Sequence, residues 1–194
     1  MISSDLGIVV GLGNPGEQYT RTLHNVGFSF VDQLAKRYGS EFRFKKKFDS
    51  DVCSIEINDR TIWLAKPNTF MNNSGLAIST MLKYYRLDTC NLLVIHDEID
   101  LSPGICKLKV GGGHGGHNGL RNIIKHCDRN FIRLRFGVGH PGDKNLVTNF
   151  VLSKASSELS NLIDQKIQEA VAVIPLLADN KIEVAMKNLH TVST

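Results

Sequence analysis

Apolar residues in this chain fall into two patterns that alternate along it. Short apolar runs at residues 8–12, 92–95, 105–110 and 132–138 read as strands. Helically spaced stripes mark residues 29–38, where Phe30, Val31, Leu34 and Tyr38 share a face, and residues 74–85. Residues 51–57 and 61–65 are β-rich and separated by Asn58-Asp59-Arg60, a hairpin signal. A short helix is expected over 118–126. Ser156 or Ser157 can cap a long helix running through Leu159, Leu162, Ile163, Ile167, Ala170, Val171 and Ile174. Pro175 should kink or end that helix, and a last short one is expected over 182–189.

Strands alternating with helices predict the α/β class, here a single three-layer αβα domain over residues 1–194 with a mixed, mostly parallel twisted sheet. The hairpin supplies the antiparallel part. No repeat, low-complexity tract or linker divides the chain. Four runs end in polar or Gly/Pro-rich segments: Gly13-Asn14-Pro15-Gly16, Lys66-Pro67-Asn68, His96-Asp97-Glu98 and Gly139-His140-Pro141-Gly142. Open α/β sheets bind ligands outside the carboxyl ends of their strands, so parallel strands would gather all four segments at one edge. A glycine-dense loop from Gly111 to Gly119 carries His114, His117 and Asn118 beside them, and glycines allow backbone to approach a ligand closely.

Composition narrows the class. Hydrophobic content of 42% and charged content of 22% in 194 residues are those of a globular domain with a substantial core. No apolar run reaches membrane-spanning length, and the first residues lack the basic start of a cleavable signal. Cys53, Cys90, Cys106 and Cys127 are scattered without a CxxC pair, which points to free thiols in a cytoplasmic setting. Net charge is +4, with a pI near 8.9. Arg43, Lys45, Lys46 and Lys47 read as a solvated loop. Lys107, Lys109, Arg121, Lys125, Arg133, Arg135 and Lys144 instead crowd the glycine loop, as expected for a polyanionic partner.

Several motifs then compete. Gly11-Leu12-Gly13-Asn14-Pro15-Gly16 matches GxGxxG, but the polar, aperiodic stretch after it offers no helix start for a pyrophosphate, and Pro15 removes an amide donor. A tight turn presenting Asn14 is the better reading. Asn25 can cap the first helix, leaving His24 at the helix mouth, where the macrodipole favours a neutral, basic ring. A nearby carboxylate would oppose that shift and fix the tautomer. Asn72, Asn73 or Ser74 can cap the next helix; as a cluster with Asn68 they also offer neutral groups for amides or an oxyanion. His96, Asp97, Glu98, His114, His117 and His140 invite a metal reading through the His114-xx-His117 spacing, but that pair lacks the helical scaffold of HExxH. The glycine loop lacks the GK[ST] ending of a P-loop, there is no GxSxG elbow, and no cysteine holds an activated position.

Read together, VGLGNPGEQYTRTLHNVGF, KPNTFMNNSG, HDEIDLSPG, GGGHGGHNGLR, RLRFGVGHPGDK and NFVL resemble bacterial-type peptidyl-tRNA hydrolase in family order. The resemblance implies a monomeric, cytoplasmic esterase, free of metal and cofactor. It would cleave the bond between a peptide and the 3′ ribose of tRNA, recycling peptidyl-tRNA that has left the ribosome. It also implies His24 as base, Asp97 as its orienting carboxylate, and Asn14, Asn72 and Asn118 around substrate and water. Tyr19, Phe70, Met71 and His117 join the substrate-binding set. Lys107, Lys109, Arg135 and Lys144 would meet the acceptor stem, the 5′ phosphate and the CCA end, with Lys109 and Arg135 clamping the phosphate. Leu23 stands where the family usually carries Arg, and Ser102 where it commonly carries Pro.

Overall fold

The computed structural model describes residues 5–190; residues 1–4 and 191–194 of the expected 1–194 domain lie outside the described residues. Seven strands form one sheet: β1 (Ile8–Gly11), β2 (Arg43–Lys45), β3 (Ser50–Ile57), β4 (Arg60–Pro67), β5 (Leu92–Glu98), β6 (Cys106–Val110) and β7 (Ile132–Gly137). Their order is β2-β3-β4-β1-β5-β7-β6. β4, β1, β5 and β7 run parallel, while β3 and β6 run against their neighbours. The sheet is mixed, with its parallel strands at the centre.

Alternation along the strands divides the core. Val9, Leu93, Ile95 and Leu134 face α1 (Val26–Arg37), α5 (Ser157–Val171), α6 (Ile174–Ala178) and α7 (Ile182–His190). Ile8, Val10, Leu92 and Val94 face α2 (Ser74–Tyr85) and α3 (Asn118–Cys127). Each helical layer thus covers the apolar face that period-2 patterning presents to it.

Four features depart from the sequence reading. The run expected as a solvated loop contains β2, whose three residues are all exposed, and a helix α4 (Val147–Val151) follows Lys144. α1 begins at Val26 rather than residue 29, because Gly27 fits where a side chain cannot: a Cβ there would lie 2.4 Å from the Leu12 nitrogen and 2.5 Å from the Ile95 oxygen. β5 carries its pairing through His96, Asp97 and Glu98, so the acid is held by the sheet. Pro175 does end the long helix; α5 stops at Val171 and the proline lies in the first turn of α6, where its missing N–H is harmless.

Candidate active site

The carboxyl ends of the parallel strands meet the glycine loop around a cleft of about 490 Å³. Asn14 enters it from the turn after β1, Met71 and Asn72 from the turn after β4, and Asp97 from β5. His117 and Asn118 come from the start of α3, and Lys144 from beyond β7. His24 lies just ahead of α1 and lines the same cleft. Residues spread from 14 to 152 are therefore brought together by the edge that the strand ends define.

Close backbone approach seats His24. A Cβ on Gly11 would fall 2.1 Å from the Gly27 oxygen, so α1 rests directly on β1. In that position His24 Nδ1 lies 2.8 Å from Asp97 Oδ1. The carboxylate is 97% shielded from solvent and, among the described residues, has no cation beside it except protonated imidazole. Burial disfavours the imidazolium, yet the Asp97 charge and hydrogen bond outweigh it, and the His24 pKa lies above 6.5. The neutral tilt expected from the helix mouth is thus overridden by the carboxylate. Asp97 shows the reciprocal balance: burial raises its pKa, but His24 and His117 pull the net value below the ordinary carboxylate range.

His117 shares the same oxygen, with Nε2 3.1 Å from Asp97 Oδ1. Its Nδ1 accepts from the Gly119 and Leu120 amides at 3.1 and 3.3 Å, capping α3. An accepting Nδ1 requires the proton on Nε2, so His117 donates to Asp97. The ligand atoms of His24, Asp97 and His117 lie within 4.8 Å of one another, close enough to hold a metal. The protons argue against that use: Nδ1 of His24 and Nε2 of His117 both point N–H at the carboxylate, and a metal would need His117 to abandon its cap. His114 does not join them; its Nδ1 accepts from Gly116 within the loop.

The carboxamides have assigned directions as well. Asn14 Oδ1 accepts from the Met71 amide at 2.8 Å, while its backbone is gripped at both ends by the Asn25 side chain. Asn118 Oδ1 accepts from Arg121 at 3.0 Å. In both residues the oxygen is occupied and Nδ2 is left as a donor. Asn72 lines the cleft, exposed. The capping expectations fail here: Asn25 makes no cap bond, nor does Asn73, and the Gly75 amide is satisfied by Asn122 of α3. The turn after β1 continues into a short helical turn at Glu17–Tyr19, so no α-helix begins where a dinucleotide would need one.

Two features escaped the sequence reading. α4 gives the cleft an apolar wall of Val147, Val151 and Leu152, and its i, i+4 valines were the available signal. His96 is fully buried beneath His117, its pKa pushed down to about 3 chiefly by burial, so the ring stays neutral. Leu23 is buried too, and its amide bonds the Ser153 carbonyl, tying this wall to the segment that carries His24.

The remaining expected residues lie outside the cleft lining. Tyr19 and Phe70 meet edge to face at 6.4 Å, beside Met71. Lys107 pairs in register with Arg135, and Lys109 with Arg133, so all four cations share one face of β6–β7 while Cys106, Leu108 and Leu134 pack the other. Arg133 is buried, forking onto the Gly112 and Gly113 carbonyls at 2.5 Å, and so shapes the glycine loop. Arg135 has only a loose contact with Glu98 at 3.7 Å.

Comparison with known proteins finds relatives over nearly the whole chain. Residues 8–194 match the family model described as peptidyl-tRNA hydrolase. A peptidyl-tRNA hydrolase of Nitrosomonas europaea is 46% identical over 185 residues, covering 95% of each chain. That of Neisseria meningitidis is 44% identical, covering 98% of this chain and all of its own. A crystal structure of peptidyl-tRNA hydrolase from Acinetobacter baumannii superposes with a TM-score of 0.95 at 42% identity, over 97% of this chain and 96% of that one. A purine nucleoside phosphorylase from Toxoplasma gondii, at 7% identity and a TM-score of 0.54, shares the fold alone.

Proposed function

The chain belongs to the peptidyl-tRNA hydrolase family, and on that premise we propose that it hydrolyses the ester between a peptide and the 3′ ribose of tRNA with His24 as general base. The observation that carries the assignment of the base is the 2.8 Å contact between His24 Nδ1 and Asp97 Oδ1 in a cleft lined by three carboxamides. Asp97 holds the proton on Nδ1, so Nε2 is the basic nitrogen presented to water. Nε2 takes a proton from that water as its oxygen bonds to the ester carbonyl carbon. The carbonyl oxygen becomes an oxyanion, for which Nδ2 of Asn14 and Asn118, whose oxygens are already occupied, are the available donors. Collapse breaks the bond to the ribose 3′ oxygen, which recovers the proton from His24. The products are tRNA with a free 3′ hydroxyl and a peptide carboxylic acid, which gives its proton to solvent to become the carboxylate.

Among the described residues no serine or cysteine lines the cleft, in keeping with direct attack by water rather than an acyl-enzyme. Esters have a better leaving group than amides, and a positioned base contributes about 10²–10⁴-fold. Peptide contacts fall to Asn72, Met71, Tyr19 and Phe70, none of which reads a particular side chain. Lys107, Lys109, Arg135 and Lys144 take the acceptor stem, 5′ phosphate and CCA end, binding phosphate rather than sequence. No helix among the described residues is long and apolar enough to cross a membrane. Residues 1–194 are assigned as one catalytic domain acting as a cytoplasmic monomer.

The test is to give the purified protein a peptidyl-tRNA and an aminoacyl-tRNA with a free amine. Cleavage of the first with sparing of the second is expected, and His24→Ala should slow it by about 10³–10⁴-fold. Undiminished cleavage by His24→Ala would remove the assignment of the base.

A further inference from the structure

The second basic run has a setting of its own. Around β2, Lys45, Lys46 and Lys47 stand with Phe44, Trp63, Tyr84 and Tyr85 about a recess of about 550 Å³. Phe44 and Tyr84 are 52% and 54% exposed. Trp63 stacks on Tyr85 with ring centres 4.1 Å apart, and Tyr84 stands at 76° to Tyr85. Lys47 Nζ lies 3.5 Å from the centre of the Tyr84 ring. No acidic side chain pairs with Arg43, Lys45, Lys46 or Lys47 among the described residues.

Lysines on an edge strand deter pairing with another sheet, which accounts for the cations but not for open rings gathered beside them. Unpaired cations alternating with exposed aromatic faces are what a single-stranded nucleic acid requires: charge for its phosphates, flat rings for its bases. A duplex, with its bases stacked inside, would use the charge and leave the rings idle. The recess is separate from the catalytic cleft. None of its lining residues lines the cleft, and α2 starts beside the cleft and reaches the recess only at its far end, about 18 Å on. β2 and the cationic face of β6 occupy opposite edges of the sheet, about 30 Å apart.

We propose that this recess is a second RNA-binding platform, which takes a short single-stranded segment with bases against Phe44, Trp63 and Tyr84 and phosphates along Lys45, Lys46 and Lys47. Trp63 is the only tryptophan in the chain, so its fluorescence reports on this recess. Titrating the full-length protein with a short oligoadenylate should give saturable quenching whose midpoint rises with salt. Phe44→Ala with Tyr84→Ala should weaken binding by about fivefold or more. Lys45→Glu, Lys46→Glu and Lys47→Glu together should eliminate it, with peptidyl-tRNA hydrolysis and thermal melting unchanged. Absence of quenching would overturn the proposal. Equal affinity for blunt duplex RNA or for an acidic peptide would do the same, by revealing a surface that reads charge alone. A parallel fall in hydrolysis by the lysine variant would show the recess to be part of substrate binding and would refute a second platform.

Discussion

The cleft and the β6–β7 face lie on one sheet and both carry charge, yet they carry it in opposite ways. In the cleft Asp97 is sealed from solvent and accepts from two imidazoles, so each proton has one place to be. On β6–β7, Lys107 and Lys109 have no acidic partner among the described residues, and Arg135 has only a distant one. Removing one member of a buried, hydrogen-bonded set strands the others without water, whereas removing an exposed cation such as Lys109 leaves its neighbours as they were. Matched burial gives direction to a proton transfer; unmatched exposure gives long-range attraction that salt can screen.

The contrast breaks most visibly at His24. His24→Ala should lower kcat by about 10³–10⁴-fold while tRNA binding, measured by filter retention, stays near its original strength. A loss confined to binding would erase the division between the two regions. Asp97→Asn is expected to follow at about 10²–10³-fold, because an amide can no longer dictate the ring tautomer.

The pH profile sharpens the same point. Water activation needs neutral His24, so kcat should fall as pH drops through a value above 6.5. In Asp97→Asn the opposing burial is left alone, and that limb should move below 6.5; a stationary limb would assign it to another group. The stability linkage has the reverse sense. The His24 imidazolium and Asp97 together stabilise the fold below pH 6.5, and this contribution vanishes as pH rises through the raised His24 value. The lowered Asp97 pKa stabilises above about pH 4 and is lost on further acidification.

The smallest effect belongs to the open face. Lys109→Ala or Arg135→Ala should weaken tRNA binding by about tenfold and reduce the log-log salt slope by about one, leaving hydrolysis of a minimal peptidyl ester intact. Equal losses on both substrates would place these cations in the chemistry.

Much of the central sheet was legible because buried strands must be apolar. Leu92 to Ile95 ends at His96-Asp97, and that break located the acid. β2 was not legible, since Arg43, Phe44 and Lys45 are all exposed and only their backbone pairs with β3, which leaves no side-chain alternation to read. α4, at five residues, offers only the Val147 and Val151 pair as a helical signal, too little to mark a helix by itself. The asparagines were misassigned in part: Asn25 and Asn73 precede helices as caps do, yet Asn25 is committed to Asn14, and nothing local to the chain announces a partner eleven residues away. The Asp97-linked imidazoles, at positions 24 and 117, are joined only by topology.

Gly11 and Gly27 touch through their backbones, and the missing methyl groups set the spacing between layers on which the 2.8 Å contact depends. A random search for inactive variants should therefore recover substitutions at position 27 alongside those at positions 24 and 97. Such a variant would keep every reacting atom and lose only the alignment between them, a lesion invisible to any inventory of functional groups.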